Sequence, residues 1–402
     1  MDCNPTNGSR EMRAEDGRAR NSDPDQTCPE RKALFGGVRR VVLKLGTRLV
    51  TQKDHSLNIG LIERLAADVA ELRRTGIQVA VVSSGAVGAG MGRLGLAERP
   101  RRLSALQATA AVGQGLLMNA YKLAFRIHAI PVGQVLLTAD DLDNRRRYVN
   151  ARNTLDSLFR FGVVPVLNEN DSVAVEELQL SVGDNDRLSA LVAHLIDADL
   201  LVILTDVDGF FSEDPDRRRD ARLIARVEEV RPEMLERAGR AGSAVSLGGM
   251  RSKLEAAQSV TRGGRLAVIA NGHKIGLSRI LAGAPAGTLF LAARERLPGR
   301  KLWIANSRRN GAVVVDDGAV EAIVKRGKSL LPSGILKVEG AFEAGELIAV
   351  EDRRRTEVAR GVVRYGSGDV QRILGKSTGD VFSILDVESG GEVVHRDDLV
   401  VL

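Results

Sequence analysis

The chain has 402 residues, 44% of them apolar, 27% charged and only 3% aromatic, which gives two or three domains with aliphatic cores. No stretch approaches the ~20 apolar residues of a membrane-spanning helix, and the polar start has no secretory signal core. Both cysteines, Cys3 and Cys28, lie in that polar start, so a disulfide framework and a CxxC metal site are excluded and a cytoplasmic location is expected. The net charge of +6 is uneven: residues 1–40 carry 8 basic and 7 acidic side chains, residues 41–310 carry 38 and 29, and residues 311–402 carry 12 and 16. The positive field therefore belongs to the central segment, where it suits anionic small molecules as well as nucleic acid.

Residues 1–38 lack apolar periodicity and read as a disordered extension. From Val41 short β-branched runs alternate with helical patterns. VVLKLGT (41–47) is a buried strand ending in Lys44, with Gly46 leaving the backbone room to approach a ligand. A lysine there is a compact cation suited to phosphate oxygens. A helix near 59–74 follows, then VAVVSSGAVGAG (79–90), whose strand, glycine-rich turn and helix present free N–H groups at a positive helix end around Ser83 and Ser84. A helix near 104–127 leads to PVGQVLLT (131–138) and VVPVLNENDSV (163–173). Asn168, Glu169, Asn170 and Asp171 end that strand, either as helix caps or as acceptors for a substrate ammonium.

The helix near 185–197 opens with Gly183, Asp184, Asn185 and Asp186. Two acids flanking an asparagine exceed what capping needs, and Asp186 is placed to orient lysines around a transferring phosphoryl group. LLVILTDVDGFF (200–211) ends in Thr205, Asp206 and Asp208, which suit ribose or phosphate contacts. Residues 212–245 read as a charged excursion from the sheet. SLGGMRSKLEAA (246–257) opens a helix with Gly248 and Gly249, and Lys253 in its first turn can reach a terminal phosphate. LAVIANG (266–272) is a further strand. Continuous apolar strands between helices predict a three-layer α/β/α sandwich with a mainly parallel sheet. In such sheets ligands bind beyond the C-terminal strand ends, where these polar residues gather. After a break near Trp303–Gly311, short strands with Gly or Pro turns predict a small, mainly β domain.

Two motifs are refused. GMGRLG (90–95) matches GxGxxG, but a dinucleotide fold needs an acid about 20 positions on, and residues 99–139 contain none. GKST (375–378) resembles the end of a Walker A loop, but the required first glycine is Val370. Phosphoryl transfer needs positioning and charge neutralisation more than covalent chemistry. Two lysines, an acid and several glycine-rich turns supply that, so the residues by themselves indicate a nucleotide-dependent kinase.

At these residues the chain resembles the glutamate 5-kinases of the amino-acid-kinase family. VVLKLGT, VVSSGAVGAG, VVPVLNENDSV, VGDNDRLSAL, LVILTDVDGFF and GGMRSK occur in that family's order over 39–300. LLPSGI, FEAGE, ARGVVRY and VHRDDLV resemble the PUA domain that follows in many bacterial members. The resemblance implies a kinase domain at 39–300, a linker at 301–313 and a PUA domain at 314–402. It implies ATP and L-glutamate giving ADP and L-glutamyl 5-phosphate with Mg2+, the first step of proline biosynthesis, under feedback inhibition by proline. Lys44, Asp186 and Lys253 then take the catalytic roles. Ser84, Asp171 and Asn185 bind glutamate. Lys44, Thr205 and Asp206, with the loop Leu247, Gly248, Gly249, Met250, Arg251, Ser252 and Lys253, bind ATP. No resident metal ligand is implied. A dimeric or tetrameric homo-oligomer is implied, and glutamyl phosphate reductase is a candidate partner.

Two positions depart from the family: Leu247 and Ser252 stand where threonines are usual, and Ser252 keeps the hydroxyl. The nearest rivals are related kinases of aspartate, acetylglutamate, carbamate or a nucleoside monophosphate, against which the NEND and VGDND loops argue. RNA binding as the main function is disfavoured, because nonspecific affinity is mostly phosphate neutralisation and the C-terminal domain is acidic.

Overall fold

The computed structural model describes residues 27–173, 184–215, 217, 218, 220–240, 249–294, 299–307, 309–386 and 391–402. In chain order the first unit contains α1 (Pro29–Phe35), β1 (Arg40–Leu45), α2 (Thr47–Val50), α3 (Ile59–Arg74), β2 (Gln78–Ser83), α4 (Ala86–Leu94), α5 (Leu103–Arg126) and β3 (Val132–Leu137). It continues through α6 (Ala139–Asp143), α7 (Arg145–Arg160), β4 (Val164–Glu169), α8 (Asp184–Leu195), β5 (Leu200–Thr205) and β6 (Arg226–Val227). It ends with α9 (Pro232–Arg240), α10 (Met250–Arg262), β7 (Leu266–Asn271), α11 (Leu277–Leu281) and β8 (Thr288–Phe290).

The strands form one sheet in the order β3-β4-β2-β1-β5-β7-β8-β6. Strands β3, β4, β2, β1, β5 and β7 are mutually parallel; β8 runs antiparallel to β7, and the edge strand β6 runs parallel to β8 and so shares its reversed direction. β1 is central, with β2 and β5 on its two sides. The chain thus leaves β1 first to one side and later to the other, which opens a crevice at the strands' C-terminal ends. Side chains alternate across a strand, and the two cores follow that alternation. Val41, Leu43 and Leu45 of β1 join α3, α5 and α11 on one face. Val42 joins α7, α8 and α10 on the other. Lys44 shares the parity of Val42, so it emerges on the α8 and α10 side.

Helix α4 is held against α5 by two glycines. A Cβ at Gly113 would lie 1.8 Å from the Ala86 carbonyl oxygen, and one at Gly90 would lie 1.9 Å from that of Thr109. Gly85, with φ +109°, turns the chain from β2 into α4 in a conformation other residues rarely adopt.

Two expectations about this first unit need correction. The last part of the extension at 1–38 is ordered: Pro29–Phe35 is helical, and residues 1–26 lie outside the described set. The missing apolar stripe is explained by its anchor, the buried Arg31. Its guanidinium donates to the carbonyls of Ala284 (3.2 Å), Ala286 (2.6 Å), Ala225 (2.7 Å) and Gly287 (3.0 Å). The segment 212–245 is not wholly an excursion, since Arg226–Val227 pairs with β8 at the sheet edge.

The second unit begins after α12 (Gly299–Asn306). It contains β9 (Gly311–Val315), α13 (Asp317–Val324), β10 (Ile335–Glu339), β11 (Leu347–Glu351), β12 (Glu357–Val362), α14 (Ser367–Arg372), α15 (Thr378–Leu385) and β13 (Leu399–Val401). Its sheet order is β10-β9-β11-β12-β13. Much of the stretch expected as a linker at 301–313 is structured. Ile304 is buried with Leu347 and Val400, Trp303 Nε1 donates to the Leu142 carbonyl at 3.3 Å, and β9 starts at Gly311. Amphipathic packing on both sides makes α12 a splint between the units.

The Gly113→Ala variant is expected to lose about 1–3 kcal/mol of unfolding free energy by overpacking. Gly115, two positions on, faces open space, so Gly115→Ala should be neutral or stabilising by up to about 1 kcal/mol. Paired urea titrations check the contrast.

Candidate active site

The chemistry gathers where β1, α8 and α10 converge. Lys44, near the end of β1, lies 2.6 Å from Asp186 Oδ1. Lys253, in the first turn of α10, lies 3.3 Å from Asp186 Oδ2, which also accepts from Ser252 Oγ at 2.7 Å. Asp186 is fully buried, and the two lysines are 5% and 6% exposed. Burial alone would raise the Asp186 pKa. The ammonium groups of Lys44 and Lys253, with the bonds from Lys44 and Ser252, outweigh burial and hold the carboxyl below its ordinary value. Burial is the main reason that the Lys253 pKa is lowered; Asp186 opposes the shift and Lys44 adds to it. Two cations against one anion leave this dry cluster net positive. Such a site attracts an anion, and lysines near phosphate-bearing ligands neutralise developing charge.

Two helix ends point into the same region. Gly85 precedes α4 and Gly249 precedes α10, and neither has a side chain to cap the helix. Their first-turn N–H groups are therefore suited to an anionic ligand.

On the α4 side, Ser84 and Asn185 meet: Asn185 Nδ2 donates to Ser84 Oγ at 3.0 Å. Asp171 follows β4, within electrostatic reach of Arg99. On the other side, Thr205 Oγ1 donates to Asp206 Oδ1 at 3.0 Å, and Arg48 pairs with Asp206 Oδ2 at 3.0 Å. Ser252 makes its bond to Asp186, and its hydroxyl also lies 2.9 Å from the Gly249 carbonyl. Met250 packs on the core beside α8. Arg251 pairs with Glu255 at 2.8 Å along the helix surface and is not brought to the lysine–aspartate cluster. Leu247 and Gly248, expected in the ATP loop, lie outside the described residues.

Reasoning from the sequence missed several neighbours. Asn271 closes β7, and its Nδ2 donates to the Asp206 carbonyl (3.1 Å) and to Asp208 Oδ1 (2.9 Å), fixing the TDVD turn. Lys274 pairs with Asp208 at 2.7 Å. Arg48 and Gln114 also went unnoticed. Asn271 was findable as one more polar residue at a strand's C-terminal end; Arg48 and Gln114 carried no local signal.

Comparison with known proteins shows the family. Residues 39–271 match the amino acid kinase family, and residues 311–385 match the PUA domain. The chain is 50% identical over 374 residues to a glutamate 5-kinase of Geobacter metallireducens, covering 92% of this chain and 100% of that protein. It is 48% identical to one of Caldanaerobacter subterraneus, covering 90% and 98%, and 48% identical to one of Moorella thermoacetica, covering 93% and 99%. The chain therefore belongs to the amino acid kinase family and, within it, to the glutamate 5-kinases, with a PUA domain behind the kinase fold.

Two outcomes follow from the buried cluster. Asp186→Asn leaves two buried ammonium groups uncompensated and is expected to destabilise the protein by about 3–5 kcal/mol, read by chemical denaturation. The depressed Asp186 pKa contributes stability above the unfolded carboxylate value, and that contribution disappears as pH falls through the folded value. At the alkaline end, the lowered Lys253 pKa should make kcat/KM fall with a midpoint below the ordinary lysine value of 10.5. A pH–rate profile of the free enzyme reads that limb.

Proposed function

We propose that this chain transfers the γ-phosphoryl group of ATP to the γ-carboxylate of L-glutamate, giving ADP and L-glutamyl 5-phosphate. The single observation that carries the chemistry is the buried Lys44–Asp186–Lys253 cluster at the crevice of the sheet. The glutamate 5-kinase relatives, matched over almost their full length, support the substrate. A glutamate carboxylate oxygen attacks the γ-phosphorus in line as the bond to the β,γ-bridging oxygen breaks, and the electron pair leaves on ADP. No covalent enzyme intermediate is required. Carboxylate and triphosphate are both anionic, so their approach is the main barrier to positioning. Lys44 faces the transferring phosphoryl group and Lys253 faces the nucleotide side, while Asp186 holds both ammonium groups apart and in place. Ser84, Asn185 and Asp171 hold glutamate. Thr205, Asp206 and the N-terminal turn of α10 hold ATP.

Mg2+ enters with ATP as part of the substrate and is held by its phosphate oxygens. The same reading puts the enzyme at the first step of proline biosynthesis with proline as feedback inhibitor. An acyl phosphate is labile, so a partner such as glutamyl phosphate reductase would capture it. We further propose a homo-oligomer acting in the cytoplasm; no described helix is long and apolar enough to cross a membrane.

Hydroxylamine traps an acyl phosphate as a hydroxamate. ATP- and Mg2+-dependent hydroxamate is expected with L-glutamate and not with L-aspartate or N-acetylglutamate. The signal should fall by roughly two to three orders of magnitude in Lys253→Ala, the scale of removing one electrostatic stabiliser of the transition state, and be reduced by proline. Turnover with another acid in place of glutamate would overturn the substrate assignment.

A further inference from the structure

A chain of amides runs from the middle of α5 to the crevice. Asn168, at the end of β4 and 2% exposed, donates from Nδ2 to Gln114 Oε1 at 2.8 Å. Its Oδ1 accepts from Asn185 Nδ2 at 3.1 Å. The same Nδ2 group donates to Ser84 Oγ at 3.0 Å. Both protons of the Asn185 amide are thereby used, and its Oδ1 is left buried with no hydrogen-bond partner among the described residues. A buried carbonyl oxygen without a partner costs free energy unless a ligand supplies a donor.

The direction of the chain decides what Asn185 offers. An amide that ends such a chain presents oxygen only if its nitrogen is engaged, and each link here donates toward Gln114. Gln114 is the terminal acceptor. If Gln114 donated instead, Asn168 would turn over, Asn185 would follow, and an N–H group would face the crevice. Gln114 is itself fixed in space by its neighbour Gly113, where α5 touches α4.

We propose that Gln114 is a positioning residue that sets the polarity of the amide chain, so that Asn185 Oδ1 accepts from the α-ammonium of the amino-acid substrate. The inference rests on the glutamate reading above. It explains how the site selects a dicarboxylate bearing a free ammonium: a group with donors satisfies the orphaned oxygen, and a substrate without one leaves it unpaired. Gln114 acts through Asn168 and touches no substrate itself.

The test compares Gln114→Met, which removes the acceptor, with Gln114→Glu, which keeps an acceptor and cannot donate. Wild-type turnover of L-glutamate is measured first; without it the substrate reading fails and the inference falls with it. With it, Q114M should raise KM for L-glutamate about tenfold, the scale of one net hydrogen bond. Q114E should stay within about threefold of wild type, and KM for ATP should be unchanged in both. An unchanged KM in Q114M, an equal rise in both variants, or a parallel rise in KM for ATP overturns the proposal. Should Q114M fail to fold, Q114E alone decides: KM near wild type supports the acceptor role and a tenfold rise overturns it.

Discussion

A single buried carboxylate organises this molecule. Asp186 has no solvent around it and holds two ammonium groups that arrive from different elements, Lys44 from the central strand and Lys253 from the start of α10. An unpaired charge at that depth is costly, and one carboxylate cannot neutralise two cations. The carboxylate holds both cations in place, and the cluster still carries a residual positive charge. That imbalance suits the cluster to an anionic ligand, and it requires β1, α8 and α10 to be held in register.

The scaffold meets that requirement with ordinary packing. Strand alternation turns Lys44 to the same face as Val42, toward α8, while Leu43 and Leu45 tie the strand to α3 and α5. Leu254, Ala257 and Val260 bury α10 beside α8, which leaves its first turn at the crevice. On the opposite side, α4 and α5 approach so closely that only glycine fits at positions 90 and 113. Packing of two helices therefore sets where Ser84 and Gln114 stand, and so links the aliphatic core to the α4 side of the crevice.

The C-terminal domain has its own core around Val313, Ile348 and Val350 and a net negative sequence. Helix α12 joins it to the kinase fold through Trp303 and through the Arg300–Asp398 pair at 2.6 Å. Its acidic balance weighs against bulk phosphate binding.

Much of this was legible in the chain alone. Apolar runs such as VVLKL and LLVILT announce buried parallel strands because a strand covered on both faces needs no polar alternation. Polar residues at their ends mark the crevice because in such a sheet ligands bind beyond the C-terminal ends of the strands. The ordered motifs from VVLKLGT to GGMRSK carried the family and with it Lys44, Asp186 and Lys253. The sequence could not say that Ser252 bonds to Asp186 or that Arg251 turns to Glu255, since those outcomes depend on which face of α10 meets α8. It was silent on Arg31, whose partners are four carbonyls from 194 to 256 residues away. Gln114 sits in an apolar helix 54 residues from Asn168, which in turn is 17 residues from Asn185. Local composition determines strands, helices and the kinds of residue at their ends; only tertiary packing decides which of those polar groups face one another, because hydrogen-bond partners are chosen by distance in space and not along the chain.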